Sequence, residues 1–445
     1  MLTIEENERL TQVGPGTPMG ELMRRYWHPI VGSVQLIDKA VIPVRILGEN
    51  LVLFKSKSGK LGLVQDLCPH RQTQLMYGIV EEEGLRCPYH GWLFDGTGIC
   101  LEQPAEPPES TFKDKVKIKA YPVEELGGLV FAYLGPEPAP LVPRWDVLVR
   151  DHVLRDIGVK ISPCNWLQLM ENVPDPVHVE HLHGKYGLAL IEQWKQEGKP
   201  MAPGLEGASK AYALHFMKTA YEEFEYGILK RRVLEGGTEE DEPWQVGQSV
   251  IFPTMGTVYG GGVYGYHFET PIDDYSTLSI FYQAYDPGPE IEVPKQDVIP
   301  VYEVPIYDEN GQVIVNFIDG QDSMVILSQG VIADRSKERL GESDKGVILY
   351  RRQLKEQMEL VLDGGEPMNT FRDPLRNKCI DLPQQKVYAN MGSSGGFKKG
   401  DVVNGSCAMF SPIIDEVEEL FAKVADIRAS GDAHGTGKLD LKTES

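Results

Sequence analysis

Hydrophobic positions along the chain change period twice. Residues 1–40 alternate short helical stretches with breaks, and form an expected N-terminal helical arm. Thr3 with Glu6 predicts a capping box for a first helix. Gly14-Pro15-Gly16 breaks it. Thr17 then caps a second helix with Pro18 at its first position, running through Met23-Arg24-Arg25-Tyr26. Arg24-Arg25 reads as a solvated face. From Val41 to Leu134 the period drops to two, in short runs between turns. Val44–Leu47 and Leu51–Phe54 flank Gly48-Glu49-Asn50, a hairpin signal. Ser58-Gly59-Lys60 leads into Leu61–Val64, Asp95-Gly96-Thr97-Gly98 turns again, and Gly128–Leu134 reads as a buried strand. The expectation is a small all-β domain over 41–134.

Gly135-Pro136-Glu137-Pro138-Ala139-Pro140 is a stiff, extended linker, which places a domain boundary at 135–145. A second domain is expected over 146–430. It opens with a helix from Asn165 to Met170. Strands follow at Thr257–Tyr266 and Ser276–Tyr285, then an acidic, Pro- and Gly-rich loop over Pro287–Pro300. One helix is predicted over Asp319–Ser328, stopped by Gly330. Another is capped by Ser343, has Val347, Tyr350, Leu354, Met358 and Val361 on one face, and ends at Gly364-Gly365. The last starts at Ser411-Pro412, with Ile413, Val417, Leu420, Phe421 and Val424 as its stripe. The small, polar stretch 431–445 reads as a flexible tail.

Composition narrows the class. With 445 residues, two or three domains are expected. Lys and Arg number 44 against 66 Asp and Glu, a net charge of −22, which excludes nucleic acid and anionic membrane as expected partners. No apolar run approaches the length of a membrane helix. The start, MLTIEENERL, lacks a signal-peptide pattern, and six scattered cysteines make no disulfide framework. A cytoplasmic enzyme fits.

The chemistry concentrates in two places. Cys68-Pro69-His70 and Cys87-Pro88-Tyr89-His90-Gly91-Trp92 read as C-x-H-x16-C-x2-H, two loops that each present one thiolate and one imidazole. A zinc site could use the same four residues. Three details favour a two-iron cluster: the mixing of Cys and His within each loop, the proline after each cysteine, and Gly91-Trp92 as close approach and lid. The second concentration runs from Glu171 to His183. A non-haem iron site needs two imidazoles and a carboxylate on one face. His178 and His181 lie one turn apart on a helix. His178 and His183 lie about 140° apart on an ideal helix and share a metal only if that helix is distorted or ends between them. Geometry alone leaves His181 and His183 open.

At Cys68, His70, Cys87 and His90 the sequence resembles the Rieske [2Fe-2S] domain. Asp175-x2-His178-x4-His183 resembles the iron motif of Rieske non-haem iron oxygenases. The arm (Val13 to Gly20), Gln321-Asp322, Gln329-Gly330, Asp334-Arg335 and Tyr350-Arg351-Arg352 extend the likeness over most of the chain, towards the phthalate dioxygenase subgroup. That resemblance implies an α+β protein, a Rieske domain followed by a helix-grip (START-like) domain with antiparallel sheet and helices. It implies His178, His183 and Asp322 as iron ligands, with Asp319 the competing acid one turn earlier. Asp175 becomes the bridge to His90 of the partner subunit, and His181 is left without a role.

The implied activity is a terminal oxygenase. It uses O2 and electrons from a separate flavin and iron-sulfur reductase, with or without a ferredoxin. The substrate is an aromatic acid, oxidised by ring hydroxylation, dihydroxylation or aryl-ether O-demethylation. No G-x-G-x-x-G follows a strand to hold a flavin or nicotinamide, and no plant-type cysteine motif is present, so the chain is not expected to serve as its own reductase. A homotrimer or stacked trimers are implied as well. Arg231 and Arg232, in Lys230-Arg231-Arg232, are candidates for a substrate carboxylate. Tyr264, two residues from Tyr266 and so on one strand face, is a candidate pocket residue. His267 points to the opposite face. The competing readings are a Rieske electron carrier or small-molecule-binding protein without oxygenase activity, and a zinc-binding structural protein.

Overall fold

A computed structural model describes residues 1–430, apart from 261–262, 290, 384–399 and 401. The tail expected at 431–445 lies outside the described residues.

The arm forms as its caps dictate. Thr3 and Glu6 close a reciprocal box at the start of the Ile4–Thr11 helix, and Thr17 accepts from Gly20 N at the head of Pro18–Met23. Arg24 is not solvated. It is buried, its Nη1 2.6 Å from Glu49 Oε1, and Tyr121 Oη donates to the same carboxylate at 2.8 Å. The turn that follows Met23 rotates Arg24 inward toward the next sheet, where only a carboxylate makes its burial tolerable.

Three antiparallel sheets follow. One orders Val41–Ile46, Glu49–Lys55, Leu61–Gln65 and Ala120–Tyr121; another places Leu129–Tyr133 between Trp27–Gly32 and Val123–Leu126. A small sheet of Ile79–Val80, Leu85–Arg86, Leu93–Phe94 and Cys100–Glu102 carries the second cysteine loop. The first hairpin turns one residue earlier than the sequence suggests. Leu47 and Gly48 both have positive φ, 47° and 78°, the two-residue turn whose twist matches the strands. Leu47 accepts this strained conformation because its side chain is fully buried. The turn's two amides donate to Pro271 and Ile272 carbonyls, which seats this region on the larger sheet.

That sheet has eight strands, in the order Phe216–Phe224, Gly227–Leu234, Gln248–Ile251, Met255–Gly260, Val263–Pro271, Thr277–Tyr285, Leu154–Ser162 and Val301–Glu303. Every pairing is antiparallel except the last. The sequence reading opened this half with a helix and missed Leu154–Ser162, because buried Asp156 and Lys160 hide its apolar alternation. The stretch read as one strand at Thr257–Tyr266 belongs to two paired strands, with Tyr259 opposite Tyr264. Helices pack against this sheet, as a helix-grip domain requires. Asn165 caps Trp166–Asn172 through its side chain. The Lys345–Leu362 helix buries Val347, Tyr350, Leu354, Met358 and Val361, but Ser343 does not cap it; a short 3-10 turn, Glu342–Asp344, precedes it. The last helix spans Ile414–Ser430 and starts later than predicted; the Ser411 hydroxyl, which donates to Asp156, accepts from Ile413 N in the turn before it.

Asp156 is fully buried, accepting from the Tyr285 and Ser411 hydroxyls. Burial pushes its carboxyl up to about 7, from 3.8. The folded chain therefore keeps a proton that the unfolded chain releases between those values. Its contribution to stability is complete below the unfolded pKa and is lost as pH rises through 7. Glu269, raised to about 7 by burial, adds the same sign. Asp156→Asn is expected to flatten the fall in melting temperature between about pH 5 and about pH 8. Parallel slopes for variant and wild type would show that Asp156 does not titrate there.

Candidate metal centres

The two cysteine loops close as tight turns. Cys68 N donates to Thr73 O at 2.9 Å, and Cys87 N to Trp92 O at 2.8 Å. Gly91 has φ +74°, and a Cβ there would meet Pro104 Cγ at 2.8 Å, so the second turn needs glycine. The thiols are buried and adjacent. Burial, with Cys87 beside it, pushes the Cys68 thiol up to about 11. The imidazoles stand outward together: the His70 and His90 rings are 4.4 Å apart, and Trp92 stacks on His70 at 4.7 Å. His70 is exposed and His90 half-exposed.

This is a two-and-two arrangement, thiols within and imidazoles without. A [2Fe-2S] cluster with two cysteines on one iron and two histidines on the other asks for it. Four ligands on one zinc would gather within about 4 Å. Among the described residues, only His178, His183 and Asp322 bring three such ligand atoms within 4.8 Å of one another.

That second group depends on an irregular helix. Residues Val179–Tyr186 form a π-helix, with His178 as the residue before it. A bond from i to i+5 carries the fifth residue to about where the fourth lies on an α-helix. His178 and His183 thus face the same side, ring centroids 5.3 Å apart. The distortion that the spacing demanded is this π turn. His181 points outward, its side chain 62% exposed.

Asp322 completes the group from the Ile318–Leu327 helix. Its Oδ1 is 3.1 Å from His183 Nε2 and 3.7 Å from His178 Nε2, and accepts from Asn172 Nδ2 at 3.1 Å. Bonds of about 2.1 Å place neighbouring ligand atoms about 3 to 4 Å apart, so a metal fits. Burial raises the Asp322 carboxyl, but His183, His178 and Asn172 outweigh it and hold it well below the usual carboxylate range. Asp319, the competing acid, turns away: its Oδ2 accepts from Cys407 N at 2.7 Å. His183 Nδ1 pairs with Gln321 Oε1 at 3.0 Å, which leaves Nε2 for a metal. His178 Nδ1 lies 3.5 Å from Asp175 Oδ2, while Val177 N fixes Asp175 Oδ1 at 2.8 Å.

A Rieske [2Fe-2S] domain model matches residues 26–122. The 5,5'-dehydrodivanillate O-demethylase oxygenase subunit of Sphingobium sp. is 42% identical over 86% of this chain and 87% of its own length. The chain belongs to the Rieske non-haem iron oxygenases. The phthalate 4,5-dioxygenase oxygenase subunit of Pseudomonas putida is 31% identical over 83% of this chain and 89% of its own. Among solved structures, Pseudomonas putida CBB5 NdmA shares the fold, with TM-score 0.56 at 21% identity over 78% of this chain and 94% of that one. The oxygenase thus carries a Rieske cluster and a mononuclear iron, and it uses O2. The electron-carrier and zinc readings fall with this assignment. No helix among the described residues is long and apolar enough to cross a membrane.

Strand register sorts the remaining candidates. His267 pairs with Gly256, Gly256 with Val250, and Val250 with Ile228. Paired residues share a face, and so do residues two apart. Ile228, Lys230, Arg232, Gly256 and His267 therefore line the iron side of the sheet. Arg231, Tyr264 and Tyr266 line the other.

Two candidates are thereby corrected. Arg231 is occupied away from the iron, donating to Trp244 and Gln245 carbonyls and to Glu222. Tyr264 is packed in the core behind the sheet, with the Arg150 guanidinium 4.0 Å over its ring. Arg232 does lie on the iron side of the sheet. Its Nε has no hydrogen-bond partner, and burial lowers its pKa, opposed by Tyr212. Sequence reasoning overlooked Tyr212, whose ring is 6.0 Å from His183, and the role of Lys230. Lys230 Nζ donates to Val173 O at 2.7 Å, anchoring the segment that leads into Asp175. Burial and then Arg232 push it down to about 7, against Asp175 and Asp322. Strand parity alone could have separated Arg231 from its two neighbours.

Proposed function

We propose that this oxygenase removes a methyl group from a methoxylated aromatic acid. The observation that carries the reading is Arg232, a half-buried arginine whose enclosed Nε is unpartnered on the iron side of the sheet. An arginine fork suits a carboxylate, and Tyr212 beside it offers a hydroxyl. The 42% likeness to an O-demethylase subunit supports methoxy oxidation over ring dihydroxylation.

His178, His183 and Asp322 hold the iron in this reading, and Cys68, His70, Cys87 and His90 hold the cluster. Bound there, the iron supplies the activation of O2 at positions the triad leaves open. The chain's own residues do the rest. Gln321 and Asp175 orient the two imidazoles. Arg232 aligns the acid so that its methoxy group, not its ring, meets the oxidant. One oxygen atom enters the methyl carbon, which leaves as formaldehyde with a phenol remaining; the other leaves as water, with two electrons and two protons consumed. Those electrons come from a separate reductase. The outward-facing His70 and His90 support delivery across a surface, and with it a ring of copies in which Asp175 meets His90 of the partner subunit.

Single turnover of the reduced enzyme with methoxylated aromatic acids is expected to release formaldehyde. Arg232→Met is expected to raise KM for these acids about tenfold or more and to leave their methyl esters little changed. A cis-diol without formaldehyde would replace this reading with ring dihydroxylation.

A further inference from the structure

His267 lies on the iron side of the sheet and has no part in anything above. Its strand partner Gly256 is so close to the iron segment that a Cβ there would meet Val173 Cγ1 at 3.0 Å. On its other flank the ring meets Phe281 edge-on at 4.7 Å. Lys160, over the same Phe281, donates to Ser323 Oγ at 3.0 Å, one residue beyond Asp322. His267 is therefore bracketed by the Val173–His178 segment and by the helix that carries Asp322.

Its imidazole makes no hydrogen bond to any described residue, although enclosed polar groups normally find one. It also keeps accessible surface within this enclosure. Gly265, two residues earlier on the same face, adds no side chain; among the described residues a Cβ there would meet nothing closer than 3.5 Å. Burial lowers the imidazole's pKa, with Lys160 in the same direction and Asp319 and Asp322 opposing. A neutral ring offers one donor and one acceptor.

The spacing has a chemical consequence. Ile228 is the residue in line with His267 across these strands, and Arg232 lies four residues further along, so about 14 Å across the sheet and about 13 Å along it separate the two backbones. Arginine and histidine side chains reaching inward from those two ends leave room between them for a benzene ring with a carboxylate at one end and a hydroxyl at the other. We propose that His267 is a positioning residue that receives the ring hydroxyl of the substrate, opposite the carboxylate held by Arg232. The proposal rests on the demethylase reading and adds a preference to it: acids with a free hydroxyl beside the methoxy group bind best.

Binding tests this without turnover. The full-length, iron-replete enzyme is titrated anaerobically with 4-hydroxy-3-methoxybenzoate and with 3,4-dimethoxybenzoate. Wild type is expected to bind the hydroxy acid about tenfold more tightly, the factor one good hydrogen bond supplies. His267→Ala is expected to erase the difference, and His267→Gln to keep part of it. The visible spectrum of the cluster and the iron content report that each variant is intact. Equal affinities in wild type, no binding of the hydroxy acid, or an undiminished preference in His267→Ala would overturn the proposal. Failure of the demethylase reading looks different: the hydroxyl preference stays, and no formaldehyde appears.

Discussion

Asp322→Ala is expected to remove the mononuclear iron and reduce turnover to background, with the Rieske cluster left in place. The two sites are built from separate elements, loops for the cluster and helices for the triad, and share no ligand. The carboxylate is the only charged member of the triad and, from its own helix, closes the space between two neutral imidazoles. Without it two imidazoles remain, and a ferrous ion holds poorly on two neutral ligands. Asp319→Asn makes the contrast. It alters an acid one turn earlier on the same helix, whose carboxylate caps Cys407 and points away from His178 and His183. Iron is expected to stay in that variant, with stability lowered through the lost cap. Iron and acid-labile sulfide, measured together on each variant, separate the sites. Iron retained in Asp322→Ala and lost in Asp319→Asn would reverse the ligand assignment.

Much of this was legible in the chain. Capping residues marked both arm helices, and the period of two marked the first sheets. The Rieske loops were readable because Cys, His, Pro and Gly each have a specific task there. Legibility failed where tertiary contacts override local pattern. Arg24 looks solvated until Glu49 arrives from another strand. Leu154–Ser162 looks irregular because Asp156 and Lys160 are buried, one by hydroxyls of Tyr285 and Ser411 and the other by Ser323. The pairing of His178 with His183 was left to the family likeness, since a sequence does not announce a π turn. Tyr264 and His267 show the same limit from another side. Their opposite faces follow from parity, but which face meets the iron is set by a register running through four strands.

Glu171→Gln is expected to cost about 3 to 5 kcal/mol of stability, the price of leaving buried charge unpaired. Glu171 accepts from Arg335 Nη2 at 2.6 Å and from Arg351 Nε at 2.5 Å. Arg335 is fully buried and also donates to Asn7 Oδ1 at 3.0 Å; Arg351 reaches on to Glu338 at 2.6 Å. Two guanidiniums are balanced by two carboxylates. Removing Glu171 leaves Arg335, itself fully buried, with no acid at all. The same cluster ties the arm, the segment after the Asp322 helix and the Lys345–Leu362 helix to the residue before Asn172. Asn172 in turn donates to Asp322. The variant is therefore expected to unfold at lower urea and, below that point, to hold its iron more weakly than wild type. Arg335→Met in the Glu171→Gln background is expected to recover part of the loss, because it removes the stranded charge. A double variant no better than the sum of the two singles would mean that Arg335 finds other partners, and that the cluster is held by packing instead of charge.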